Sequence, residues 1–143
     1  MMKKSLLVLC CFISLIIFVS MLYGQEAKKS VTLPSGEVVC DLNGEWEAIV
    51  KNYGLGESLG TYPQIYKITQ EGSSFVGIRM QSEPFGSAKD SQAIQGQLDK
   101  SGITKVMILT ETARLESKGQ ISEDGNKIII DDGQRINVTM TRK

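Results

Sequence analysis

Glycine-bearing turn signals recur down the second half of the chain and cut it into short alternating runs. They fall at Glu71-Gly72-Ser73, Asp99-Lys100-Ser101-Gly102, Glu123-Asp124-Gly125 and Asp132-Gly133-Gln134. Glycine there admits positive φ at little steric cost, which a tight hairpin requires. The runs between them, 62–70 and 74–81, 93–98 and 103–109, 118–122 and 126–131, then 135–142, read as hairpin arms. Consecutive hairpins with almost no helical period argue an antiparallel meander. From Asn43 to Arg142 there are 100 residues, and one strand per roughly 12 residues gives about eight. Closing the meander removes its exposed edges. The fold class this predicts is all-β, a single antiparallel up-and-down β-barrel of about eight strands.

The opening strand is Leu42 to Val50, which holds the only tryptophan. Trp46, Ala48 and Val50 share one face, and Glu45, Glu47 and Lys51 the other, with Ile49 the exception. Trp46 is placed to close one end of a barrel. Further along, Tyr66 and Ile68 share a face, as do Val76, Ile78 and Met80 against Gly77, Arg79 and Gln81, and Ile136, Val138 and Met140. The run 103–109 is apolar on both faces, as a central strand or one with a ligand-facing side would be. The stretch 110–116 allows a strand or a turn of helix. Two loops stand out. Asn52 to Gly60 carries three glycines, Gly54, Gly56 and Gly60, and reads as a flexible connection or a lid. No Lys-Ser or Lys-Thr follows its last glycine, so it is not a phosphate loop. Ser82 to Ser91 holds Pro84 and Gly86, with Phe85 between them to pack on a rim. The two loops flank one hairpin, so both are expected at the open end, opposite Trp46.

The N-terminus points to export. Lys3 and Lys4 precede an uncharged apolar run, the pattern of a secretory signal peptide. Cleavage is expected after Gly24, with Ala27 as a second site. This divides the chain into a signal peptide (1–24), a leader segment (25–42) and a barrel domain (43–143), periplasmic or secreted. The run Leu6 to Tyr23 is 18 residues long, the lower edge for a membrane span. An uncleaved anchor is therefore the alternative, and it too exports the domain. Removing 24 residues takes two lysines and no acid, leaving 14 bases against 16 acids, a formal charge of −2. No basic stripe is present to meet phosphates, so nucleic acid is not an expected partner. The mature chain needs no membrane.

The side chains for catalysis are few. The chain has no histidine, which removes a Ser-His-Asp triad, a Cys-His pair and His-ligated zinc. Cys10 and Cys11 lie in the apolar run, leaving only Cys40 in the mature part and no intramolecular disulfide. Cys40 reads as a small buried hydrophobe, with an intermolecular disulfide or a reactive thiol as sharper alternatives. The acidic pairs Glu45/Glu47, Glu123/Asp124 and Asp131/Asp132 could serve glycoside hydrolysis by type. The first pair lies on a wet strand face and the others in turns. Glu123-Asp124-Gly125-Asn126 lacks calcium-loop spacing. Asn137-Val138-Thr139 fits a glycosylation sequon. No enzyme activity, metal or cofactor is expected.

Asn43-Gly44-Glu45-Trp46 at the head of a meander resembles the Gly-x-Trp opening of lipocalin-like (calycin) barrels. The hairpin from Ile68 to Gly77 is similar to one in small bacterial lipocalin-like proteins, and Cys40 to Trp46 faintly resembles the avidin opening. The resemblance spans about 100 residues. There is no helix signal after the last strand and no cysteine pair, unlike true lipocalins. The resemblance implies an eight-stranded barrel around a small apolar molecule, with Gly44 and Trp46 as structural positions. Ligand-binding candidates on the inward faces are Trp46, Tyr66, Ile78, Met80, Ile108 and Met140; Ile128 and Ile130 are further inward residues. A second class is open: an exported inhibitor or protein-interaction module using the barrel loops. A tightly filled interior would favour it.

Overall fold

The computed structural model describes residues 28–143; the signal segment, its cleavage sites, Cys10 and Cys11 lie outside them. The described chain forms β1 (Ser30–Thr32), β2 (Val38–Cys40), β3 (Gly44–Asn52), a short 3-10 helix (Gly54–Leu59), β4 (Thr61–Glu71), β5 (Ser74–Arg79), β6 (Gln92–Asp99), β7 (Gly102–Leu109), β8 (Arg114–Ile121), β9 (Lys127–Asp131) and β10 (Ile136–Arg142). Strands β3 to β10 are a closed antiparallel meander of eight, consistent with a calycin-like barrel. Closure comes from β10 pairing with β3, from Ile136 opposite Asn52 to Arg142 opposite Trp46. The predicted turns are present, with positive φ at Gly72, Gly102, Gly125 and Gly133. The stretch 110–116 is a turn closed by Thr110 N–H to Ala113 O at 2.9 Å, then strand β8, with no helix.

One end is sealed twice. Trp46 is fully buried and donates Nε1–H to Leu42 O at 3.0 Å. The Arg142 guanidinium lies 4.4 Å from the ring centroid and donates to Asn43 O (3.0 Å) and Asp41 O (2.6 Å). Outside it, β1 and β2 form a hairpin that lies across the floor turns. Glu37 accepts from Lys100 N–H at 2.8 Å, Leu33 reaches Gly72, and Cys40 Sγ lies against Gly125. Part of the leader is thus a folded plug, in which Val39, Cys40 and Leu42 are buried.

Above the floor the interior is filled by large side chains laid over glycines. A Cβ on Gly96 would fall 2.5 Å from Phe75 Cζ and 2.6 Å from Lys105 O. One on Gly119 would fall 2.7 Å from Ile103 Cγ2, and one on Gly77 3.2 Å from Ile94 Cβ. Cores pack to crystal-like density, and in this barrel the absent Cβ atoms are what let the rings and branched chains reach across.

Strand β5 faces the opposite way from its expected phase. Register pairs Tyr66 with Arg79, Ile68 with Gly77 and Gln70 with Phe75. Directly opposed residues share a sheet face, and Tyr66 and Ile68 are buried inside. Phe75, Gly77 and Arg79 therefore point inward, while Ile78 opposes Lys67 and Val76 opposes Thr69 on the outer face. Met80 continues that outer phase, only half-buried.

Candidate ligand site at the barrel mouth

The end opposite Trp46 keeps a cavity of about 250 Å³. Both long loops border it, as expected: Leu55 and Leu59 come from the first, and Glu83, Phe85 and Ser87 from the second. The glycine-rich loop is no loose connection. It is the 3-10 helix, seated on the β9–β10 turn, where a Cβ on Gly54 would fall 2.5 Å from Gln134 O and one on Gly56 2.8 Å from Arg135 O. These two glycines permit the close approach.

Arg79 organises the second loop. It is 2% exposed, and burial of a cation requires a counter-charge and full hydrogen bonding. Nε donates to Glu83 Oε1 at 2.8 Å. Nη1 donates to Gln92 O (2.7 Å) and Ser91 Oγ (3.2 Å), and Nη2 to Leu109 O (2.5 Å). Arg79 N–H and Ser91 O pair at 2.9 Å, and Asp90 N–H returns to Arg79 O at 2.8 Å. One guanidinium thus joins the ends of β5, β6 and β7 and holds the 80–91 loop over the mouth.

Tyrosines line the cavity at two depths. Tyr62 is half-buried near the rim; burial first, then the charge of Glu83, pushes its hydroxyl up to about 12. Tyr66 is 2% exposed, and burial, followed by Glu83, pushes its hydroxyl well above the usual tyrosine range. Ile108 and Leu115 supply apolar walls. At the rim, Leu55 is 77% exposed, Phe85 59% and Leu59 42%. Arg135 stands at the same rim with Nε 3.5 Å from Asp132 Oδ2.

Of the six sequence candidates, the structure brings Tyr66 and Ile108 together in this cavity. Trp46 and Met140 are fully buried in the packed part below it. Ile78 and Met80 lie on the outer face, because the register of β5 against β4 is fixed by Tyr66 and Ile68. Asn52, Tyr62, Arg79 and Glu83 line the mouth and were missed. The one sequence signal for Arg79 and Glu83 is their own spacing, an acid four residues after a base. The acidic pairs lie elsewhere: Glu45 and Glu47 are exposed on β3, and Glu123 and Asp124 are exposed in a floor turn. Asp131 accepts from Tyr53 Oη (2.6 Å), Asn137 Nδ2 (2.7 Å) and Gly133 N–H (2.6 Å). Asp132 caps the amides of residues 134–136. Among the described residues, no three His, Cys, Asp or Glu side chains group as a metal site, and no helix is long and apolar enough to cross a membrane. Compared with protein-family models, with curated proteins and with solved structures, the chain matches none.

Proposed function

We propose that the protein is an exported lipocalin-like binding module that holds a small, largely apolar molecule in the mouth of its barrel. One observation carries this reading: the floor and middle are packed solid, while the opposite end keeps a cavity ringed by exposed Leu55, Leu59 and Phe85. Three large apolar side chains exposed around one opening are costly unless something covers them. The cavity is smaller than the roughly 300–1,000 Å³ of typical ligand sites. The ligand is correspondingly small and sits above the barrel centre, not beside Trp46. The role is binding without chemistry, and no cofactor takes part. The signal-like run of residues 6–23 supports export.

The exposed rim also favours a second reading, an inhibitor or interaction module whose loops seat on another protein. Native mass spectrometry of protein purified from its own host separates the two. The ligand reading expects a retained small adduct, and amide shifts on its removal confined to residues near 52–62, 79–87 and 108–113. A retained protein partner, with the same amides shifting on its release, refutes it. N-terminal sequencing of that material tests export: a start near Gln25 or Lys28 supports it, and a start at Met1 in the cytoplasm overturns it.

A further inference from the structure

Tyr66 lies at the inner end of the mouth cavity, and its hydroxyl makes no hydrogen bond to any described residue. Most other buried polar groups at this end are partnered, the exceptions being Arg135 Nε and the Ser87 hydroxyl, which make no hydrogen bond to a described residue. Arg79 has four acceptors, Asn52 Nδ2 donates to Gly60 O at 2.9 Å, and Gln64 Nε2 donates to Gln81 O at 3.1 Å. Thr110 Oγ1 donates to Ala113 O at 3.2 Å. Although Tyr66 is 2% exposed, its hydroxyl oxygen is not sealed off but opens onto the cavity, where it is free to donate to whatever enters.

The charges around it restrict what fills that space. Arg79 and Glu83 form a 2.8 Å pair, with side chains 3% and 12% exposed. Arg135, its side chain 40% exposed, lies 3.5 Å from Asp132, and Glu111 is exposed at the rim with no ion-pair partner among the described residues. An ionic head at the inner end, beside Tyr66, would therefore meet only the buried Arg79–Glu83 pair, which already neutralises itself, and would lose its hydration without gaining a counter-charge. Size restricts it further. A dry cavity of about 150 Å³ takes benzene, so about 250 Å³ takes one ring with a short substituent, or a chain of equal bulk.

We propose that the mouth binds a neutral single-ring or short-chain molecule head first, its one polar oxygen accepting a hydrogen bond from Tyr66. Its apolar body then lies against Ile108 and Leu115 within the cavity and against Leu55, Leu59 and Phe85 at the rim. This orientation puts the polar end inward and the greasy end at the opening. It rests on the reading of the mouth as a ligand site, and the test keeps the two apart.

Toluene, p-cresol and 4-methylbenzoate share a methylphenyl body and differ in the head. Each is titrated into the protein and into Tyr66→Phe, following backbone amide shifts by NMR. The wild type should bind p-cresol roughly five- to tenfold more tightly than toluene, the scale of one hydrogen bond, and 4-methylbenzoate more weakly than either. Tyr66→Phe should bring p-cresol to the affinity of toluene and leave toluene within about twofold. If p-cresol and toluene bind the wild-type mouth equally, the head-first inference fails and the ligand site stands. If 4-methylbenzoate binds most tightly, the neutral class is overturned. If no probe shifts the amides of the mouth, the site itself is refuted. Should Tyr66→Phe fail to fold, the wild-type ratio of p-cresol to toluene decides the matter alone.

Discussion

Replacing Arg79 by methionine tests the least expected feature of the interior. The substitution keeps the aliphatic stem and removes the charge. It leaves the Glu83 carboxylate, 12% exposed, without its cation, and deprives Gln92 O and Leu109 O of donors. Breaking a buried pair in this way costs about 3–5 kcal/mol, against the roughly 5–15 kcal/mol that holds a whole domain. Glu83→Gln is milder. Its amide oxygen still accepts from Arg79 Nε, and Arg79 keeps three further acceptors, so the loss is about 1–2 kcal/mol. In the Glu83→Gln background, Arg79→Met strands no charge and should cost only about 2 kcal/mol. The cycle therefore predicts a coupling of about 2 kcal/mol, within the range seen for residues in contact. Urea denaturation followed by Trp46 fluorescence reads all four proteins, because the indole sits at the far end and is untouched. If Arg79→Met costs the same in both backgrounds to within about 0.5 kcal/mol, Arg79 is not paired inside the barrel and β5 faces the other way.

Other perturbations test other parts of the barrel. Trp46→Ala should cost roughly 3–5 kcal/mol and release Arg142 from its stacking, while Trp46→Phe should be tolerated better; wild-type emission should be blue-shifted and resist acrylamide, and a water-exposed spectrum would contradict the sealed floor. Gly96→Ala should cost about 1–3 kcal/mol through overpacking, with Phe75→Leu restoring part of it, although Lys105 O still opposes the new Cβ; an unchanged urea midpoint for Gly96→Ala would refute the large-over-glycine packing. Tyr62 and Tyr53 are both pushed up to about 12, Tyr62 by burial and Tyr53 by donating to Asp131. In the unfolded chain both ionise near 10, so the stability they lend is complete below that pH and is lost as pH rises toward 12. Absorbance at 295 nm should rise together with unfolding, and smooth ionisation of these tyrosines near pH 10 in a folded barrel would count against the burial of Tyr62 and the Tyr53–Asp131 bond.

The barrel itself was legible in the sequence for a specific reason. Hairpin turns depend on local backbone geometry, so Gly72, Gly102, Gly125 and Gly133 announce themselves without tertiary information. Strand β3 was legible because its partners on both sides agree with its own alternation. The phase of β5 was not, because its two faces offer Val76, Ile78 and Met80 against Phe75, Gly77 and Arg79. Counting apolar groups selects the first set. The fold selects the second, because Gly77 and Gly96 receive Ile94 and Phe75, and because Arg79 finds acceptors on three other segments. All of those partners but Glu83 lie far along the chain from the residue they fix.

The same logic explains why the candidate site sits higher than the resemblance alone placed it. A small barrel leaves room for a ligand only where its inner side chains fail to meet. In the lower part, three inner positions without a Cβ let neighbouring side chains meet over them, and the β1–β2 plug closes what Trp46 leaves open. At the mouth, Arg79 occupies the inner position nearest the end of β5. Its guanidinium is held along the wall by carbonyls of β6 and β7, so it ties the wall together without filling the centre. Space therefore survives above Tyr66. A long apolar residue at position 79 would be free to collapse into that space, so the cavity depends on a charged group whose hydrogen bonds keep it at the wall.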